Sequence, residues 1–205
     1  MQLNQPYLII DLNNNKIILF VVSFNEKKDF KVIKKIILET SGIQNGRITN
    51  IEIVSQLLKN AINVIEDDIN YFFSNAAVVI DPNQINCLNV SGYKKLNGSQ
   101  VSSKDIAYIL NDIKKIILEG ENNYALVHLF NSNFSLDSDN LENLPIGLFG
   151  DFYNQNMTFF LVNNNILKNI KSVFNNCGLN IEKTILKSFA EGVYLLSNNP
   201  PDKNF

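Results

Sequence analysis

The sequence is poor in the residues that support most enzyme chemistry, because it has one histidine, two cysteines and no tryptophan. His128 lies in an apolar segment and is the only candidate base for a Ser-His-Asp or Cys-His relay, so we interpret it as a packed structural residue. Cys87 and Cys177 are far apart and form no CxxC pair, which argues against a zinc site and a redox motif. This cysteine usage fits a reducing cytosol, and we expect a cytoplasmic protein.

The chain also lacks a strong charge bias and any long apolar run. A formal net charge of -2 and scattered lysines disfavour a nucleic-acid partner recognised through its phosphates. No apolar run approaches the roughly 18 to 20 residues that span a bilayer, so we expect no direct membrane anchor in this chain. With 45% hydrophobic residues in 205, the chain can bury a core in one large domain or two small ones.

Residues 1–81 have the pattern of a strand meander followed by a helix and a buried strand. The predicted strands are Tyr7–Asp11, Lys16–Phe24, Phe30–Glu39 and Asn75–Ile80, all rich in branched or aromatic residues. Thr49 and Glu52 have the spacing of a capping box, which predicts that the helix begins there. The apolar stripe of this helix is Ile51, Val54, Leu57, Leu58, Ile62 and Ile65.

A separate α+β pattern starts at Pro82 and predicts an insertion over residues 82–156. Its predicted elements are a segment Ile85–Leu96 that forms one strand or two with a kink at Gly92, a helix capped at Ser102 and a strand Tyr124–Phe134. The α/β pattern returns over residues 157–196, and residues 197–205 have the composition of a flexible tail. The predicted elements of this last part are strand Thr158–Val162, helix Asn164–Cys177 capped by Gly178, strand Ile181–Leu186 and helix Ser188–Leu196.

The order of these elements and the motifs they carry resemble the N-terminal half of the bacterial cell-division protein FtsA, an actin-like ATPase. That family opens with Asp-x-Gly-x-x-Lys, and here Asp11 and Lys16 match while Asn13 replaces the glycine. The segments GIQNGRITNIE and YALVHLFNSNFSLD are similar to the turn before the family's first helix and to the strand that contains a histidine in its insert. Further matching residues are Gly42, Ile43, Gly46, Ile48, Ile51, Glu52, Gly178, Leu179, Ala190, Glu191 and Gly192.

The resemblance covers Tyr7 to Leu196 and implies an α/β fold. This fold is an actin-like (ribonuclease-H-like) core subdomain, called 1A in the family, interrupted by a small α+β insertion called 1C. Residues 1–81 and 157–196 would form the core, and residues 82–156 would form the insertion. We expect a shortened protein, without the family's second phosphate loop, adenosine pocket, FtsZ-docking subdomain and membrane-targeting helix.

The turn Asn13–Asn15 is where the family's first phosphate loop would lie. Glycine suits such a turn because its backbone amides can approach a phosphate without a Cβ in the way, whereas asparagine adds bulk. The resemblance implies ATP with Mg²⁺ as the family's cofactors, and Asp11, Asn13 and Lys16 would then form a degenerate cofactor-binding turn. We expect no bound cofactor and no metal site for this chain, with Asp11 ending a strand and Lys16 solvated.

The function implied by the resemblance is that of a non-enzymatic scaffold in the cell-division machinery, or divisome, acting through residues 82–156. Divisome proteins and other FtsA-like copies would be its partners, at the inner face of the cytoplasmic membrane at the septum. Two alternatives remain open. The chain is either half of a complete ATP-binding actin-like protein, or a relative of the pilus-assembly ATPase PilM.

The segment LPIGLFGDFY, from Leu144 to Tyr153, is the candidate partner-binding surface. Its apolar residues lie in a loop punctuated by glycine and proline, and they are Leu144, Ile146, Leu148, Phe149, Phe152 and Tyr153. They form either a lid over the insertion's own core, which we favour, or an exposed docking surface.

Overall fold

A computed structural model describes residues 5–25, 29–81, 83 and 85–198. The strands are β1 (Tyr7–Asn13), β2 (Lys16–Phe24), β3 (Phe30–Glu39), β4 (Ile43–Gln44), β5 (Arg47–Ile48), β6 (Asn75–Ile80), β7 (Ile85–Lys95), β8 (Tyr124–Leu136), β9 (Asp139–Leu141), β10 (Phe152–Asn163) and β11 (Asn180–Leu186). The helices are α1 (Ile51–Ile69), α2 (Ser103–Gly120), α3 (Asn164–Asn176) and α4 (Lys187–Asn198). Contacts divide the described residues into two compact units, of which the second is Ile85–Asn164 and the first is the remainder.

The first unit is built on a five-stranded sheet with the order β11-β6-β1-β2-β3. β1 pairs antiparallel with β2 and parallel with β6, and β6 pairs parallel with β11. The predicted meander forms because β1 and β2 bury alternate side chains, which satisfies the two-residue period of a half-buried strand. Helices α1 and α3 meet where the Asn176 side-chain amide donates to the Ser55 hydroxyl at 3.2 Å.

The segment GIQNGRI folds as a short hairpin, β4 and β5, that holds the start of α1. Asn45 and Gly46 take positive φ angles of 50° and 72°, which suit the two central residues of a tight hairpin turn. The Gly42 carbonyl accepts from the Thr49 and Asn50 amides at 2.8 and 3.2 Å. A Cβ on Gly42 would lie 2.7 Å from a methyl group of Val54, so this close approach requires glycine.

The second unit is a four-stranded sheet, β7-β10-β8-β9, with α2 packed on one face. Ile109, Ile113 and Ile117 of α2 join a buried cluster that includes Tyr153, Phe159 and Leu161 of β10. The predicted helix cap at Ser102 is confirmed, because the Asp105 carboxylate accepts from the Ser102 amide at 2.8 Å.

The predicted start of the first helix at Thr49 is wrong by one residue. Asn50 is the N-cap, and its side-chain oxygen accepts from the Ile53 amide at 3.0 Å. The amide of Thr49 donates to the Gly42 carbonyl beside the hairpin, so Thr49 remains outside the helix. An asparagine caps a helix as well as a threonine does, and it replaces the expected pairing with Glu52.

The assignment of Thr158–Val162 to the core is also wrong. This segment lies within β10, which pairs on one side with β7 and on the other with β8. The predicted boundary between residues 156 and 157 therefore falls inside a strand of the second sheet. The other predicted boundary, at Pro82, and residues 199–205 of the predicted tail lie outside the described residues.

Gly92 offers a direct test of the packing in the second unit. A Cβ added there would lie 2.4 Å from a methyl group of Ile109 and 2.4 Å from one of Ile113. We expect Gly92→Ala to destabilise this unit by about 1–3 kcal/mol because α2 must move away from β7. Amide hydrogen exchange of β10 under increasing denaturant measures this change. Gly120→Ala is the control, since no atom lies within 4 Å of its added Cβ, and an equal effect of both substitutions would contradict the packing.

Candidate functional site

Three strands of the first unit end at one edge of its sheet. β1, β6 and β11 run parallel, so their carboxyl ends lie together, which is where open α/β sheets place ligands. Asp11 lies in β1 close to this edge, Asp81 follows β6, and Lys187 begins α4 directly after β11. The edge therefore gathers charged residues that are distant in the sequence.

Asp11 and Lys187 form the central ion pair of this edge. The Lys187 ammonium lies 3.5 Å from Oδ2 of Asp11, and the Asp11 residue is only 9% exposed. Burial raises the pKa of Asp11, the Lys187 charge partly offsets this rise, and the nearby Asp81 and Glu191 add to it. Oδ1 of Asp11 is buried and has no hydrogen-bond partner among the described residues, so Lys187 is the main compensation for this buried carboxylate.

The asparagine turn uses its polar groups internally. The Asn13 side-chain oxygen accepts from the Asn14 amide at 2.8 Å, and the Asn14 side-chain oxygen accepts from the Asn45 amide at 2.9 Å. The Asn15 carbonyl accepts from the Thr40 amide at 3.0 Å, and Asn15 has a φ of 57°. The turn is thus tied to the neighbouring hairpin.

Lys16 and Asp11 have different partners. It faces Asn13 across the β1–β2 turn, and its ammonium lies 3.8 Å from a Glu39 carboxylate oxygen. Both side chains are largely solvent-exposed, so this pair contributes little. The structure thus brings Asn13 and Lys16 together, but it pairs Asp11 with Lys187 instead.

The ATP that the family resemblance implies would need a phosphate loop at the asparagine turn. A phosphate loop needs backbone amides that are free to donate, whereas the Asn14 amide already donates to the Asn13 side chain. A magnesium ion needs several oxygen ligands, whereas Asp11 offers only Oδ1, because its Oδ2 faces the Lys187 ammonium. Within the described residues, no three His, Cys, Asp or Glu side chains are grouped so as to hold a metal ion.

The expectation that Asp11 ends its strand is wrong, because β1 continues to Asn13 and Asp11 is buried within it. No sequence motif marks Lys187, because its role depends on strands that are distant in the sequence. The signal that identifies it is its position directly after β11, since parallel strands bring their carboxyl ends to one edge.

The loop of the second unit that contains Leu144 to Tyr153 is held by backbone hydrogen bonds. The Val101 amide donates to the Leu148 carbonyl and the Gly147 amide donates to the Val101 carbonyl, both at 2.9 Å. The Asp137 carboxylate accepts from the amides of Asp151 and Phe152 at 2.8 Å each. The loop backbone is therefore held between Gly147 and Phe152 while its exposed side chains remain available.

Five side chains of this loop are exposed, and we call them the loop surface. Their exposed fractions are 42% for Leu144, 52% for Ile146, 50% for Leu148, 69% for Phe149 and 48% for Phe152. Side chains this exposed do not cover a core, so the favoured interpretation of a lid is not supported. Exposed aromatic and aliphatic side chains are typical of docking surfaces.

Tyr153 is an exception, and its assignment to the docking surface is wrong. It is fully buried in the core of the second unit, next to Phe152, which is exposed. Both residues lie in β10, where successive side chains point to opposite faces of the sheet.

Comparison with curated proteins finds similarity along nearly the whole chain. It is 22% identical over 190 residues to the cell division protein FtsA of Buchnera aphidicola subsp. Schizaphis graminum, covering 93% of this chain and 45% of that protein. The chain resembles one half of FtsA. FtsA of Neisseria meningitidis serogroup B is 20% identical over 203 residues, which covers 98% of this chain and 49% of that protein. The resemblance to FtsA stated from the motifs is thus confirmed.

A solved structure shows the same fold. A chain of the PilM-PilN type IV pilus biogenesis complex superposes with a TM-score of 0.60 at 11% identity, over 94% of this chain and 50% of the PilM-PilN chain. This likeness confirms the expected α/β fold with an actin-like core. No family model matches the chain. The chain spans about half the length of the FtsA proteins it matches, and none of its described helices has the length and apolar character needed to cross a membrane.

The buried Asp11 makes the stability of the first unit depend on pH in an unusual direction. Because its folded pKa lies above the ordinary value of 3.8, Asp11 binds its proton more tightly when folded. Its stabilising contribution is therefore present below pH 3.8 and is lost as the pH rises through the folded pKa. We expect Asp11→Asn to gain stability relative to the wild type as the pH rises from about 3 to about 7. Urea unfolding at a series of pH values measures this difference.

Asp105 in the second unit is the control with the opposite sign. Its hydrogen bonds from Lys94 and Ser102 lower its pKa to about 2, so its contribution is present above pH 3.8 and is lost as the pH falls. Asp105→Asn should therefore lose stability relative to the wild type as the pH rises over the same range. Parallel pH profiles for the two variants would contradict the assigned environments.

Proposed function

We propose that the chain acts in bacterial cell division as an FtsA-like protein and that it works through protein contacts. The observation that carries the proposal is the similarity to FtsA, which extends over 93% of the chain. The residues at the expected phosphate turn favour a contact role, since the Asn14 amide and Oδ2 of Asp11 already have partners within the chain.

The second unit is the proposed contact region. We assign Ile85–Asn164 to the family's inserted subdomain 1C and the first unit to the core subdomain 1A. The proposed partners are divisome proteins and further FtsA-like copies, and the proposed location is the cytoplasmic face of the membrane at the septum. The loop surface supports this role because its backbone is held while apolar side chains are presented to solvent.

Site-specific photo-crosslinking at Phe149 tests the proposal. A photoreactive amino acid replaces Phe149, the most exposed member of the loop surface at 69%, in the source bacterium or a close relative. We expect adducts with cell-division proteins, because a hydrophobic docking residue is covered when its partner binds. Mass spectrometry of the adducts identifies the partners, and Leu148→Asp should reduce the adduct yield by about tenfold.

The matched control is Phe72, an aromatic residue of the first unit that is 80% exposed. The same photoreactive group at position 72 should give none of the adducts seen at position 149. Identical adducts at both positions, or adducts without any cell-division protein, would rule out the loop surface as the docking site.

A role in pilus assembly is the second candidate, and the structural likeness to a chain of the PilM-PilN complex favours it. The same crosslinking experiment separates the two. Adducts with pilus-assembly proteins would support this second role, whereas adducts with cell-division proteins would support the first.

A further inference from the structure

β7 is an unprotected edge strand. It is last in the sheet order, and no strand in the described part of the chain pairs with its outer side. Its 11 residues pair with β10 in one continuous register, and Ile85–Tyr93 include no charge and no proline. By contrast the edge strand β3 has a bulge at Ile33 and carries Lys31, Lys34 and Lys35, which discourage pairing with a further strand. β7 has no bulge and its two lysines, Lys94 and Lys95, lie at its carboxyl end, so Ile85–Tyr93 lack these protective features.

An apolar groove runs beside this edge, between β7 and α2. Because Gly92 has no side chain, Ile109 and Ile113 approach the strand directly, and α2 lies over β7. The next stripe of α2 consists of Tyr108, Asp112 and Ile116, which line the groove together with Val90. Tyr108 is 58% exposed and Ile116 is 62% exposed, although both lie beside the buried core of the unit. A free strand edge next to an apolar groove is the arrangement that binds extended peptides.

A single extended segment suits this edge because it needs only one strand's width beside β7 and brings no second helix to the face that α2 occupies.

The charged residues of the groove indicate which kind of extended segment can bind there. The Lys94 ammonium already has partners within the chain, because it donates to the Asp105 carboxylate at 2.5 Å and lies 5.0 Å from the ring centroid of Tyr108. Asp112 lies between Tyr108 and Ile116 and makes no hydrogen bond or ion pair with the described residues. The groove thus offers apolar contacts on both sides of one exposed negative charge.

We propose that β7 and α2 bind an extended segment of a partner protein, which adds a fifth strand beside β7. The segment carries apolar side chains at alternate positions, since these face the groove in a strand, and a basic side chain that faces Asp112. Backbone hydrogen bonds to the outer edge of β7 hold it, and Asp112 selects its charge. This inference deepens the proposed function and rests on it only for the identity of the partner, because the groove is separate from the loop surface.

Selection from a library of short random peptides displayed on phage, with the full 205-residue chain as bait, tests the proposal. We expect enrichment of peptides with alternating apolar residues and one lysine or arginine. The most enriched peptide, synthesised with a fluorescent label, is then measured by fluorescence anisotropy. Ile116→Lys should weaken its binding by about tenfold, and Asp112→Lys by about threefold to tenfold.

A charge exchange and a control substitution in the first unit make the test more specific. Asp112→Lys should recover affinity for the same peptide when its basic residue is replaced by glutamate. Phe72→Lys, at an exposed site of the first unit, should leave binding unchanged. The proposal is overturned if no peptide is enriched, or if the enriched peptide binds the Ile116→Lys and Asp112→Lys variants as tightly as the wild type. Peptide binding is measured in vitro, so its failure is distinct from the absence of cell-division adducts at position 149.

Discussion

The contact between Asp11 and Lys187 links the ends of the chain's first and last described strands. Asp11 lies near the carboxyl end of β1, a central strand of the sheet, and it is buried there. A carboxylate in this position is costly unless a positive charge stands beside it. Lys187 supplies that charge because β11 runs parallel to β6 and delivers α4 to the same edge.

This internal pairing engages Oδ2 of Asp11 at the edge where the resemblance to FtsA implies a phosphate turn. The positive charge comes from the chain, and the amide of Asn14 is satisfied by the side chain of Asn13. Two open surfaces lie in the second unit, the loop surface and the groove between β7 and α2. Both features suit protein contacts, in agreement with a role resembling that of FtsA.

Sequence patterns predicted most of the helices and strands, because the spacing of apolar residues in each segment reflects its own secondary structure. The alternation in β2 and the apolar stripe of α1 are examples, and both appear as expected. Features that depend on distant partners were not predictable in this way. Thr158–Val162 has a clear strand pattern, but the pattern cannot indicate which sheet the strand joins. Tyr153 and Phe152 are chemically similar neighbours, and only the pleat of β10 decides that one is buried and the other exposed. Lys187 becomes identifiable only when the parallel order of the strands is known.

A double-mutant cycle on Asp11 and Lys187 tests the central claim most directly. The free energy of unfolding is measured for the wild type, Asp11→Asn, Lys187→Met and the double variant at neutral pH. If Lys187 is the main compensation for the buried carboxylate, the coupling energy should be about 1–2 kcal/mol, between the values for exposed and buried pairs. A coupling energy within about 0.3 kcal/mol of zero would show that the two groups are independent, and it would contradict this account of the edge.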